Sequence, residues 1–172
     1  MTSFIVNDNA VRREVSESVF EYFLGEIIAR ETVPSNSAET STAVEQRLEL
    51  LGYNVGYSRL LEKISMNHKF IGTDSLDLMK FICKEFWEEV YKKKVDKLQT
   101  NHRGVFVLSD MKFKWLERYS SDDIESKQSA ERMLHFPCGM IRGALANLGV
   151  LAMVNADFNT LPACTFNIRV KT

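Results

Sequence analysis

Near the N-terminus the apolar positions recur at helical rather than strand spacing. Val11, Val15, Val19, Phe23 and Ile27 fall four residues apart, and Phe20, Leu24 and Ile28 form a second stripe beside them. This period places both stripes on adjoining faces of one helix over residues 9–31. Such a face is wider than a single packing contact needs. Pro34, Ser35, Asn36 and Ser37 then make a loop. A second helix is expected from Thr42, because Thr42-x-x-Glu45 is a capping box that satisfies free backbone donors at a helix start. Val44, Leu48, Leu51 and Val55 share one face, and with Leu60, Leu61 and Ile64 beyond them the helix is expected to reach about Met66. Gly52 and Gly56 interrupt it, so either it breaks there or a neighbouring backbone comes close. Gly72 and Asp74 open a third helix, with Asp74 as N-cap and Asp77 at the positive end of the dipole. Leu76, Met79, Cys83, Phe86 and Val90 face inward, and Lys92, Lys93 and Lys94 close the negative end.

The apolar period next shortens to two, and residues 95–100 and 105–109 read as strands. Asn101-His102-Arg103-Gly104 is the turn between them. Residues 111–127 read as irregular, and a fourth helix is expected to start at Pro137, which suits a first helical position. Gly139 and Gly143 lie one turn apart on one face of that helix. Each costs roughly 1 kcal/mol against alanine in a helix interior, so the pair implies close backbone approach. Two further strands cover about 150–158 and 163–170, the last with Cys164, Phe166, Ile168 and Val170 alternating. Strands in adjacent pairs with segregated helices indicate an α+β fold with an antiparallel sheet.

Length and composition narrow the functional classes. At 172 residues one domain is expected over 1–172, with an ordered core of about 9–171. The net charge of −1 exerts no pull on nucleic acid, and no basic stripe interleaves with aromatics. No apolar run is long enough for a membrane span, and residues 1–8 lack a secretory pattern. Cys83, Cys138 and Cys164 are widely spaced without a Cys-x-x-Cys pair, which suits reduced thiols packed as small hydrophobes in a cytosolic protein.

Candidate chemistry is thin. His68, His102 and His135 share no helix face at metal-ligand spacing. Cys138, His135 and Asp110 can be written down as a catalytic set, but nothing in their spacing supports one. Cys138 near a helix start could have a lowered pKa, yet a small buried residue on the glycine face is the stronger reading. The three lysines read as offsetting the helix dipole rather than as a phosphate patch, and no glycine-rich nucleotide loop occurs. The expectation is a protein without enzymatic activity, metal or cofactor. The apolar surplus of the first two helices is either ordinary core or an interface, since a large apolar patch marks an interaction site.

The run Thr100-Asn101-His102-Arg103-Gly104-Val105-Phe106-Val107-Leu108-Ser109-Asp110 adds a family resemblance. With Phe136-Pro137-Cys138-Gly139-Met140-Ile141-Arg142-Gly143-Ala144-Leu145, Leu148-Gly149, Leu51-Gly52-Tyr53-Asn54-Val55-Gly56 and Leu161-Pro162-Ala163-Cys164-Thr165-Phe166, it resembles the small subunits of the TRAPP vesicle-tethering complex. Within that family it is similar to the Bet-three-like type and its subunit-six branch. The resemblance implies helices packed on one face of a four-stranded antiparallel sheet. It also implies a heterodimer with a Bet-three-like subunit through the first two helices, using Val11, Val15, Val19, Phe23, Ile27, Val44, Leu48 and Leu51. Gly52, Gly56, Gly139 and Gly143 would be close-packing positions. The chain would be a scaffold in an assembly that tethers vesicles in ER-to-Golgi and Golgi transport and activates a Rab GTPase, which it would meet only through the complex. It would be cytoplasmic, peripheral at Golgi and ER–Golgi membranes, and a homodimer when alone is left open. The rival reading is an apolar-ligand or lipid-binding module of related fold, in which Gly139 and Gly143 would line a pocket. Bet-three itself carries an acylated cysteine after the second helix, whereas this chain has none between Ile64 and Leu76. Acylation is therefore not carried over, and Phe81 and Phe86 are expected to fill that space.

Overall fold

The computed structural model describes residues 16–32, 41–60, 74–101 and 103–171. Within them α1 (Glu17–Thr32) and α2 (Ser41–Val55) come first, and a π-helical turn (Gly56–Leu60) prolongs α2. The helix expected to reach Met66 is thus α-helical to Val55 and widens at Gly56, and its end lies outside the described residues. Val11 and Val15 lie outside them too. Next come α3 (Ser75–Phe81), a second π-helical turn (Ile82–Phe86) and α4 (Trp87–Tyr91). The Asp74 carboxylate caps α3 by accepting from Leu76 N at 3.3 Å. Lys92, in the left-handed region at φ 59°, ends α4. Its ammonium donates to Glu89 O at 2.9 Å, satisfying a free carbonyl of the last turn.

Strands β1 (Lys97–Thr100), β2 (Val105–Asp110), β3 (Ala152–Asp157) and β4 (Cys164–Val170) form one antiparallel sheet in the order β1-β2-β4-β3. The β1–β2 turn is held by Asn101, whose Oδ1 accepts from Arg103 N at 2.9 Å and Val105 N at 3.1 Å. Gly104 supplies the positive φ of 78°. Alternate residues Phe106, Leu108, Phe166, Ile168 and Val154 are buried, so one face of the sheet carries the core. The architecture is α+β with helices on an antiparallel sheet, as the spacing implied.

The largest departure from the sequence reading is α5 (Ile124–Asn147). It begins well before Pro137, which is buried inside the helix rather than at its first position. The Asp123 carboxylate sets the true start, accepting from Glu125 N at 3.3 Å and Ser126 N at 3.0 Å. An interior proline normally costs about 3 kcal/mol. Here Ala130, Met133, Leu134 and Phe136 before it and Met140, Ile141, Ala144 and Leu145 after it are all buried. Core burial on both sides outweighs the local penalty. Helix α5 packs against both α2 and β3 and so lies between them.

An aromatic cluster closes the core beside α4. Tyr91 lies 4.9 Å from both Phe113 and Trp115, and Trp87 is edge-on to Phe166 at 5.3 Å. Phe81 and Phe86 are also buried in this core. Asp110, only 1% exposed, accepts from Trp87 Nε1 at 2.9 Å, from Lys112 N at 3.0 Å and from the Lys93 ammonium. Lys93 also reaches Asp96 at 3.3 Å. Burial alone would lower the Lys93 pKa, but the hydrogen bonds and charges of Asp110 and Asp96 outweigh it and raise it. Two of the three lysines therefore tie the end of α4 to its own carbonyls and to β2.

Candidate partner interface

Helix α2 meets α5 with almost no side chain between the backbones. A Cβ added at Gly52 would collide with Phe136 O and lie 3.0 Å from Met140 N, and one at Gly56 would lie 2.8 Å from Met140 Cα. From the other side, a Cβ at Gly139 would lie 2.8 Å from Tyr53 N and one at Gly143 would lie 2.9 Å from Tyr57 N. Each helix thus contributes glycines that admit the other's backbone, and the four form a reciprocal seam. Arg142 spans it, pairing with Glu49 at 2.8 Å while its guanidinium lies 5.1 Å from the Tyr53 ring centre. Asn147 Nδ2 donates to Tyr57 O at 2.7 Å, satisfying a carbonyl of the π-helical turn. Backbone, not a cavity, faces Gly139 and Gly143, so they do not line the pocket that the ligand-binding alternative required.

The apolar face of α1 and α2 divides in two. Leu24 and Ile28 of α1 and Val44 and Leu48 of α2 are buried in the chain's own core, Leu48 completely. This corrects the assignment of Val44 and Leu48 to an outward surface. The spacing put them with Leu51 on one broad stripe, but a stripe that wide turns partly inward. Ile27 is half-buried and packs on the same core. On the outside of α1, Val19 is 57%, Tyr22 70% and Phe23 63% exposed. On α2, Leu51 is 40% and Val55 38% exposed, and Leu50 and Tyr57 are exposed as well. Tyr22 was absent from the expected set, although the Val19, Tyr22, Phe23 spacing of three and four residues marks one helix face. A groove of about 380 Å³ runs between α1 and the segment Lys114–Tyr119. There Arg118 pairs with Glu21 and lies 4.8 Å from the Tyr22 ring centre.

The thiols are built for packing. Burial pushes Cys83 up to about 12 and raises Cys138 and Cys164 further. Cys138 sits well inside α5, away from the positive helix end that would have favoured a thiolate. His68 and His102 lie outside the described residues, and His135 is half-buried. Among the described residues no group of histidine, cysteine and carboxylate side chains could hold a metal ion, and no helix is long and apolar enough to cross a membrane.

The chain thus combines an α+β fold, sealed by a glycine seam, with large apolar side chains exposed on two helices. The family model described as "Transport protein particle (TRAPP) component" matches residues 20–171, and the chain belongs to this family. Within it the chain is a small subunit similar to subunit six. It is 40% identical over 159 residues to trafficking protein particle complex subunit 6b of Danio rerio, covering 90% of this chain and 97% of that protein. It is 42% identical over 125 residues to the human subunit 6B, covering 73% and 77% of the two chains. A solved structure of trafficking protein particle complex subunit 3 from Naegleria fowleri, covalently bound to palmitic acid, has the same fold. Its TM-score is 0.70 at 17% identity, over 90% of this chain and 94% of that one.

Proposed function

We propose that this TRAPP subunit is a non-enzymatic scaffold that forms a heterodimer with a Bet-three-like subunit through the outward faces of α1 and α2. The observation that supports this most is the exposure of Val19, Tyr22 and Phe23 on α1 together with Leu51 and Val55 on α2. Large apolar groups in such numbers are costly to leave in water and are worth roughly 25 cal/mol per Å² once covered. A stable interface buries about 1,600 Å² in total, a scale that two helix faces can supply. In this reading the Rab GTPase is met only by the assembled complex, which acts in ER-to-Golgi and Golgi vesicle tethering as a peripheral assembly on those membranes. A second copy of the chain can use the same faces when no partner is present.

Co-expression with a Bet-three-like subunit, followed by size-exclusion chromatography with light scattering, tests the pairing. A one-to-one complex is expected for the native chain and loss of that complex for Val19→Asp, with the thermal midpoint of the isolated chain nearly unchanged. Co-purification that survives Val19→Asp and Phe23→Asp together would count against this interface.

A further inference from the structure

In the order β1-β2-β4-β3 the strand β3 stands at an edge, and the core lies on one face of the sheet only. On the opposite face the register sets Val105, Arg169 and Met153 side by side across β2, β4 and β3. Val170 N donates to Gly104 O and Lys171 N to Leu151 O, both at 2.8 Å, so the ladder runs on to the end of the sheet. Its last row brings Lys171 beside Leu151, with Arg103 in the adjoining β1–β2 turn. Strand alternation puts Val105, Arg169, Lys171, Leu151 and Met153 on the face away from the buried Phe106, Ile168 and Val154. Leu151 and Met153 are exposed, and so are Arg103, Arg169 and Lys171. Among the described residues none of these three cations is paired with a carboxylate. The one carboxylate that the strands present on this face is Asp157, which is about 13 Å along β3 from Met153. That exceeds the screening length of about 8 Å at physiological salt. This corner of the sheet is therefore locally positive, although the whole chain has a net charge of −1.

We infer that the corner formed by Arg103, Leu151, Met153, Arg169 and Lys171 is a docking site for the surface of an anionic lipid bilayer. Lipid headgroups pair with the three unpartnered cations, while Leu151 and Met153 reach between them toward the acyl boundary. The long apolar stems of Arg169 and Lys171 let their charged ends stay at headgroup depth as the neighbouring apolar groups sink. An acidic peptide would satisfy the cations but leave Leu151 and Met153 without cover, since a flat strand surface gives it no groove to follow. A bilayer uses both kinds of group at once. Each cation is worth about fivefold in partitioning at such a surface, so the attachment is weak and reversible. It suits a chain in which no described helix is long and apolar enough to cross a membrane. The corner lies on the sheet, apart from the α1–α2 face, and does not rest on the heterodimer reading.

The test is co-sedimentation of the full chain with vesicles of equal parts phosphatidylcholine and phosphatidylserine at low salt. Binding is expected that weakens as salt is raised and is absent with phosphatidylcholine alone. Amide hydrogen exchange should slow in residues 151–153 and 169–171 when the vesicles are present. Arg169→Gln with Lys171→Gln should weaken binding about twentyfold, as two cations are lost. Leu151→Ser with Met153→Ser should weaken it several-fold while leaving its salt dependence unchanged. These side chains are exposed, so the thermal midpoint of either variant should stay close to that of the native chain. The proposal is overturned by absence of binding, by equal binding to neutral vesicles, or by binding that survives both double substitutions. A soluble octaglutamate peptide that binds through the same cations, indifferent to the Leu151 and Met153 changes, while vesicles do not bind, would assign the corner to an acidic polypeptide and overturn it as well.

Discussion

Two faces of helix α2 show opposite ways of using an apolar helix. Toward α5 it gives up side chains: Gly52 and Gly56 let the two backbones touch, and Gly139 and Gly143 return the favour. Away from α5 it keeps large side chains that remain partly exposed, as at Leu50, Leu51 and Val55. Leu48 and Leu51 make the contrast within one turn, since the first is fully enclosed and the second is 40% exposed. The difference teaches that apolar character marks a contact without saying whose contact it is. Glycine at helical spacing marks one with a neighbouring backbone, and in this chain that neighbour is internal.

The sharpest way to break the comparison is to substitute the two leucines. Leu48→Ala should cost about 3–4 kcal/mol in denaturant unfolding of the isolated chain, because it leaves a cavity in a closed core. Leu51→Ala should cost under about 1 kcal/mol there and act on partner binding instead. Equal losses would mean that α2 has no outward face. The seam comes next: Gly139→Ala should destabilise by about 2–3 kcal/mol despite alanine's better helix propensity, since its methyl meets the α2 backbone rather than a yielding side chain. A stabilised variant would show that the helices do not touch there.

Smaller effects sharpen the picture at the far end of the core. Asp110→Asn removes the charge that holds Lys93 while keeping an acceptor for Trp87, and should cost about 2 kcal/mol by thermal unfolding. That is less than for a fully buried pair because Lys93 reaches solvent. The smallest effect is on pH dependence. The Met111 N–H, aided by Lys93, holds the Asp96 carboxylate below its ordinary 3.8. Its contribution is present above that value and is lost as pH falls through the lower folded pKa. Lys93, held above its ordinary 10.5, contributes fully below that value and loses its contribution as pH rises through the folded pKa. A melting-temperature profile across pH should therefore fall slightly at both extremes, and Asp96→Asn should remove part of the acid limb.

Much of this was legible along the chain and some was not. The four strands, the Asp74 cap and the Asn101–Gly104 turn follow from local chemistry, and the structure places them where the pattern did. The start of α5 was misplaced because Pro137 obeys a local rule that tertiary burial overrode, while the weaker signal of Asp123 as a cap set the true boundary. Val44 and Leu48 were grouped with Leu51 because helical spacing resolves faces only to about a turn. Tyr22 was passed over although it stands on the same face as Val19 and Phe23. The open edge of β3 could not be read from alternation at all, since strand order is a property of the whole sheet.

By itself the sequence determined the class of fold, the family and the presence of close helix contact at paired glycines. Those are consequences of period, composition and the one residue without a side chain, all of which act locally. Only the tertiary structure decided which glycines meet, which apolar residues turn inward and which strand is left at the edge. Each of these depends on what long-range packing brings alongside, and packing is a relation between segments that no single segment encodes.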